Sequence, residues 1–126
     1  MPIIQSKSLQ TYYERTGSGE ALVFVHGLGS SSQDWKFQTA FFPKYFQTIT
    51  YDVRGHGQSE KAKGPYSVPL FAEDLAFLLD ELEVEKAHIV GLSMGGWIAF
   101  QFGLDYPERV SSLTIVNSWA DMRLKT

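Results

Sequence analysis

The sequence predicts a doubly wound α/β fold with a mostly parallel sheet and helices on both of its faces. Short apolar runs of strand composition alternate with stretches of helical periodicity, the order produced by parallel strands joined through right-handed crossovers. A second indication is that polar, glycine-rich loops follow three of the apolar runs. Because ligands of such sheets bind beyond the carboxyl ends of the strands, these loops are expected to share one edge of the molecule.

Composition limits the possible function. The chain has 126 residues, which suits one domain, and 44% of them are hydrophobic. The formal net charge is −3 and the basic residues are scattered, which argues against a nucleic-acid or anionic-membrane partner. The absence of cysteine excludes disulfides, thiolate metal sites and a cysteine nucleophile. Without a secretory signal, or an apolar run near the roughly 18 residues of a membrane span, we expect a cytoplasmic protein.

The first half of the chain is expected to hold three strands and one helix. Residues 9–15 have strand composition, and the Gly17-Ser18-Gly19 turn ends them. Residues 21–25 form a continuous apolar run, typical of a strand covered on both faces. A helix is expected over residues 33–44, followed by a strand over residues 48–51.

The second half is expected to continue the alternation. Ser67 is the predicted N-cap of a helix, with Glu73 and Asp74 near its positive end. A strand is expected over residues 87–90, a helix over 95–105 that Pro107 stops, and a strand over 113–117. The residues at the spacing of one buried face in the Ser67 helix are Phe71, Leu75, Leu78, Leu79 and Leu82.

The strongest functional motif is Gly91-Leu92-Ser93-Met94-Gly95, which matches G-x-S-x-G. It follows a β-branched strand and precedes a helix, the context in which a tight turn raises a serine above the sheet. Glycines without Cβ let strand and helix approach closely, and the helix start favours a developing oxyanion. The alternative is a glycine-rich turn with an incidental serine.

The loop His26-Gly27-Leu28-Gly29 is expected to complete the site. Acyl transfer needs two donors aimed at one oxygen, and the backbone N–H groups of Met94 and Leu28 are the candidates for this oxyanion hole. His26 precedes a turn, which indicates that it braces the loop and is not the general base. Trp35, Phe37 and Trp97 either line the pocket or pack in the core.

Together with the loop from Asp52 to Ser59, these motifs resemble the α/β-hydrolase superfamily, especially its small bacterial esterase, lactonase and C–C hydrolase-like members. The similarity covers nearly the whole chain, but only about half of a family domain. The resemblance therefore implies that residues 1–126 are the amino-terminal part of an α/β-hydrolase domain.

The resemblance also assigns roles. Ser93 would be the nucleophile and the Leu28 and Met94 amides the oxyanion hole, with a small-molecule ester, lactone or related carbonyl compound as substrate. Neither a cofactor nor a metal ion is expected. The resemblance implies that the loop holding Asp52, Arg54 and His56 supports the oxyanion loop structurally, against the alternative of a metal or acid/base site.

The remaining triad residues are not evident. The family order is Ser, then Asp or Glu, then His, yet no histidine follows Ser93. Asn117 cannot act as a carboxylate, and Asp121 is a late candidate for the acid. His88 lies in an apolar strand and is expected to be a core or edge residue. The 126-residue chain alone is therefore expected to be a poor hydrolase.

Three functions stay open at this point. The first is a Ser93 hydrolase, the second a non-catalytic half-length binding or assembly module, and the third a ligand sensor that keeps the fold and pocket. The Ser93 and Leu28 loops favour the first. The last strand could also present an unpaired edge, which predicts self-association, such as a homodimer with a continuous sheet.

Overall fold

The computed structural model describes residues 3–6 and 9–118 and, over these residues, alternates strands with helices. The strands are β1 (Ile3–Ser6), β2 (Leu9–Thr16), β3 (Ala21–Val25), β4 (Gln47–Tyr51), β5 (Ala87–Leu92) and β6 (Val110–Val116). The α-helices are α1 (Lys36–Phe41), α2 (Val68–Glu81) and α3 (Met94–Asp105). Short 3₁₀ helices cover Ser32–Trp35, Phe42–Lys44 and Pro107–Arg109.

The six strands form one sheet in the order β1-β2-β4-β3-β5-β6. β3 lies between β4 and β5 and is parallel to both, and β6 is parallel to β5. β2 is antiparallel to β1 and to β4. The predicted mostly parallel α/β sheet is thus confirmed. β1 was not predicted, because four residues at a sheet edge leave little periodicity to detect.

The continuous apolar run of β3 is explained by its central position. Its side chains alternate between two cores, one on each face of the sheet. Val23 and Val25 pack with α2 and α3, whereas Leu22 and Phe24 pack against Trp35 on the face that carries α1. All five residues of β3 are buried, as expected of a strand covered on both sides.

α2 begins and packs as predicted, with one correction. The Ser67 hydroxyl accepts a hydrogen bond from Leu70 N–H at 3.2 Å, and the five predicted apolar residues of this segment are buried. However, Glu73 and Asp74 are not near the positive end, since the first turn of α2 holds no acidic residue. Asp74 lies in the second turn and accepts hydrogen bonds from Arg54 instead.

The single helix predicted over residues 33–44 is also corrected. The structure divides it into a 3₁₀ helix, the six-residue α1 and a second 3₁₀ helix that contains Pro43. Proline has no N–H and its ring crowds the carbonyl of the preceding turn, so α1 cannot continue through Pro43. At the other end, Ser31 caps the first 3₁₀ helix by accepting from Gln33 N–H.

The remaining boundaries shift by a few residues. β5 extends to Leu92, directly before Ser93, and β6 starts at Val110 and ends at Val116. Over the part of the chain that the structure describes, no helix is both long and apolar enough to cross a membrane.

Candidate active site

Ser93 lies in a strained turn between β5 and α3. Its backbone has φ 56° and ψ −115°, a conformation that residues with a side chain rarely adopt. The Ser93 N–H donates to Val116 O at 2.9 Å, so the end of β6 holds the turn in place. The Ser93 side chain is exposed at the amino-terminal end of α3.

The two glycines of the motif are required because three backbone segments meet here. A Cβ added to Gly91 would lie 2.2 Å from Gly95 O, and one added to Gly95 would lie 2.1 Å from Val25 O. Both distances are far inside van der Waals contact. The close approach of β5 and α3 at Gly91 agrees with the sequence prediction, whereas the contact of Gly95 with β3 was not predicted.

The side chain of Ser93 opens into a pocket of about 280 Å³. Trp97 lines it, as one of the two sequence alternatives proposed. Trp35 does not, because its ring packs 4.8 Å from that of Phe24, and Phe37 is 77% exposed. The other lining residues are Leu28, Tyr66, Ser67, Val68, Phe71 and Met94. The wall from Tyr66 to Phe71 was missed, although the predicted N-cap at Ser67 marked a helix start there.

The two expected amide donors lie at this pocket. Among the described residues, neither the Leu28 N–H nor the Met94 N–H has a hydrogen-bond acceptor. The loop that carries Leu28 lies beside the turn at Ser93, since a Cβ built on Gly27 would be 3.5 Å from the Ser93 Cβ. The described residues therefore leave both N–H groups available at this pocket.

His26 braces the loops at this edge of the sheet. Its Nε2 accepts from Val53 N–H at 2.9 Å, so its Nδ1 carries the proton and donates to Gly27 O at 2.7 Å. Burial lowers the pKa of His26, which keeps the ring neutral. Because both nitrogens are occupied, this imidazole holds the loop after β3 to the loop after β4.

Asp52 fixes the backbone of the loop after β4. Its Oδ1 accepts from Ser32 N–H at 2.7 Å and its Oδ2 from Gln58 N–H at 2.8 Å. Ser59 Oγ donates to the Asp52 carbonyl oxygen at 2.5 Å. The buried carboxylate thus ties this loop to Ser32, shortly after the loop that carries Leu28, in agreement with the structural role that the resemblance implied.

Arg54 joins the same loop to α2. Its Nε and one terminal nitrogen each donate to an Asp74 oxygen at 2.8 Å, and this hydrogen bonding raises the pKa of Arg54. His56 Nδ1 contacts Arg54 O at 3.0 Å. The described residues contain no group of three or more histidine and acidic side chains that could hold a metal ion.

No histidine is placed to accept the Ser93 proton. The chain has three, and His26 and His56 contact backbone atoms of the supporting loops. His88 lies on β5 five residues before Ser93, about 16 Å away along a strand. It hydrogen-bonds to Ser112 and Glu20, a grouping that the sequence analysis missed. Asn117 has φ 50°, and the candidate acid Asp121 lies outside the described residues.

The chain resembles known hydrolases over most of its length. It is 39% identical over 120 residues to a protein of Azorhizobium caulinodans provisionally named carbamate hydrolase RutD. The matched region covers 95% of this chain and 45% of that protein. It is 36% identical over 116 residues to 3-oxoadipate enol-lactonase 1 of Acinetobacter baylyi, with 92% and 43% covered. The chain thus spans about half the length of the curated relatives it matches.

Solved structures and a family model agree with this similarity to hydrolases. The structure described as Est816, an N-acyl homoserine lactone degrading enzyme, superposes with a TM-score of 0.89 at 38% identity, over 93% of this chain and 45% of that one. The enol-lactonase of Burkholderia xenovorans LB400 gives 0.89 at 30% identity, over 93% and 46%. The model of the α/β hydrolase fold matches residues 20–125. This chain therefore belongs to the α/β-hydrolase fold family.

Proposed function

We propose that residues 1–126 carry the amino-terminal, nucleophile-bearing part of a serine hydrolase that cleaves a carboxylic ester, lactone or related carbonyl compound. The observation that supports this most is the backbone of Ser93, at φ 56° beside a pocket. Such a conformation costs about 1–3 kcal/mol and clusters at functional sites. A scaffold or assembly module has no use for this strain.

In the proposed reaction, Ser93 Oγ attacks the substrate carbonyl carbon. The resulting oxyanion accepts hydrogen bonds from the Leu28 and Met94 N–H groups, which have no described acceptor in the free protein. The amino-terminal end of α3 adds a favourable dipole. The lactonase and lactone-degrading relatives support the substrate class.

The proton of Ser93 needs a base that His26, His56 and His88 do not supply. We therefore propose that the 126-residue chain acylates at Ser93 but turns esters over slowly. An oxyanion hole and binding without a complete triad still give about 10³-fold over the uncatalysed rate. Acylation of Ser93 should thus exceed that of an ordinary exposed serine by about this factor.

Mass spectrometry after treatment with p-nitrophenyl acetate tests the proposal. Trypsin releases residues 87–109, in which Ser93 is the only serine. We expect an acetyl group at Ser93 in the wild type and in the control Ser111→Ala, but none on this peptide in Ser93→Ala. Acylation of Ser93 no faster than that of Ser111 would refute the assignment.

The second candidate function, assembly, is favoured by the position of β6 at an edge of the sheet that the described strands form. Among the described strands β6 pairs only with β5, and Val116 is 38% exposed. Unpaired edge strands pair with other chains, so we propose a homodimer through β6. Light scattering should give a dimer mass for the wild type and a monomer mass for Thr114→Lys at the middle of this edge. A monomeric wild type would exclude the dimer.

A further inference from the structure

A second group of polar side chains lies away from Ser93 and consists of His88 on β5, Ser112 on β6 and Glu20, directly before β3. His88 Nδ1 is 2.8 Å from Ser112 Oγ, and His88 Nε2 is 2.7 Å from Glu20 Oε1. Ser112 faces His88 because the register of β5 and β6 shifts by one residue between Ala87 and His88, where Ser111 is the additional residue. The irregularity thus selects Ser112, and not its neighbour, as the partner of the imidazole.

The two hydrogen bonds of His88 are compatible with a neutral ring held between Glu20 and Ser112. An ionised Glu20 carboxylate only accepts, so Nε2 of His88 carries a proton and donates it. In the neutral ring Nδ1 then has a lone pair, and Ser112 Oγ–H donates to it. A hydroxyl bonded to an imidazole that a carboxylate orients is the arrangement that activates serine nucleophiles.

The group opens into an apolar pocket of about 390 Å³ on the face of the sheet that carries α1. His88, Val90, Ser112 and Thr114 point to this face. On the same face, Leu22 and Phe24 of the neighbouring strand β3 lie beside His88 and Val90. Phe42 and Phe46 complete the lining, and the Phe46 ring stands edge-on to His88 at 5.8 Å. Apolar walls around a few convergent polar groups are typical of small-molecule sites.

We propose that Ser112, His88 and Glu20 form a second nucleophilic site, independent of Ser93, that aryl esters acylate. Ser112 Oγ attacks the ester carbonyl carbon and its proton passes to His88 Nδ1. The bond from the acyl carbon to the aryloxy oxygen then breaks, and His88 returns the proton to the departing phenolate. Water attacks the acyl-Ser112 through the same base, which releases the carboxylic acid and restores the serine hydroxyl. Glu20 is a positioning residue, because it acts only through His88.

An aryl ester is the substrate class that fits. Phenolates are good leaving groups, so the reaction depends mainly on activation of the serine. The phenylalanine-lined wall accepts an aromatic ring or a short alkyl chain. Base catalysis by a positioned histidine contributes about 10²–10⁴-fold. Ser112 should therefore be acylated at least about 100-fold faster than Ser111, which lies one residue away on the same strand and is also exposed.

The test uses Ser93→Ala protein and p-nitrophenyl butyrate, so that the fate of the Ser93 proposal does not affect the result. Trypsin releases residues 110–123, and fragmentation separates Ser111 from Ser112. We expect butyrylation at Ser112 that persists in Ser111→Ala, disappears in Ser112→Ala and falls about 100-fold in His88→Gln. Glu20→Ala should slow it and Glu20→Gln, which keeps an acceptor for Nε2–H, should restore part of the rate.

Melting temperatures of the variants separate chemistry from folding, since these side chains lie at or near the surface and their replacement should leave the sheet intact. If Ser112 and Ser111 are butyrylated at similar rates, or if a folded His88→Gln protein reacts like the parent, the proposal is overturned.

Discussion

Replacement of Gly95 by alanine should break the junction that holds Ser93. The new Cβ would lie 2.1 Å from Val25 O and 2.8 Å from His26 O, about 1 Å inside ordinary contact. Both contacts are with main-chain carbonyls at the end of the central strand β3. The neighbouring strands β4 and β5 hold β3 in place, so neither carbonyl can shift without a large cost in free energy. Overpacking of this kind costs about 3 kcal/mol. For 126 residues with about 2.1 cal/mol/K of unfolding entropy each, the melting temperature falls by roughly 10 °C.

Gly103 provides a matched control in the same helix. A Cβ there would meet Leu113 Cδ1 at 3.0 Å, the end of a flexible side chain that can rotate away. Glycine in a helix interior costs up to about 1 kcal/mol relative to alanine, so Gly103→Ala should be neutral or slightly stabilising. Differential scanning calorimetry measures both effects, and acylation of Ser93 should fall only in Gly95→Ala.

A Gly95→Ala protein that melts within about 2 °C of the wild type would refute the reasoning. It would mean that the backbone around Ser93 can widen by about 1 Å without cost. The requirement for glycine would then come from something other than the close approach of β3 and α3.

Two further measurements test the supporting loops. Arg54→Met removes both hydrogen bonds to Asp74 and leaves a carboxylate that is 8% exposed without its cation. The free energy of unfolding, measured by urea titration, should therefore drop by about 2 kcal/mol. It should recover in part when Asp74→Asn is added. His26 should make the free energy of unfolding depend on pH, because its pKa in the folded state lies below the unfolded value of about 6.5. Below about pH 6.5 the unfolded chain binds a proton at His26 that the folded protein does not, so stability is lost as pH falls. The loss approaches 1.4 kcal/mol per pH unit, and His26→Gln should abolish this contribution, whereas an unchanged pH profile would contradict the assignment.

The pattern of residues along the sequence was sufficient to predict features that depend on a single strand, helix or turn. The apolar run of β3, the buried face of α2 and the glycine spacing around Ser93 each reflect contacts that any such strand, helix or turn must make. The sequence pattern gave a wrong prediction for Asp74, which was expected to interact with the positive end of the helix dipole. Asp74 is instead paired with Arg54, 20 residues earlier in the chain. The partnership of His88 with Glu20, 68 residues away, depends on sheet order and on a register shift that periodicity does not reveal.

The hydrogen bond from Ser93 N–H to Val116 O has a consequence for the order in which the site forms during folding. The acceptor belongs to the last residue of β6, 23 positions after the donor, so the turn between β5 and α3 is incomplete until β6 has docked on β5. A nascent chain that has emerged only as far as α3 already contains Ser93 and both glycines. Its Ser93 N–H nevertheless lacks this acceptor, and the turn gains the hydrogen bond only when β6 joins the sheet.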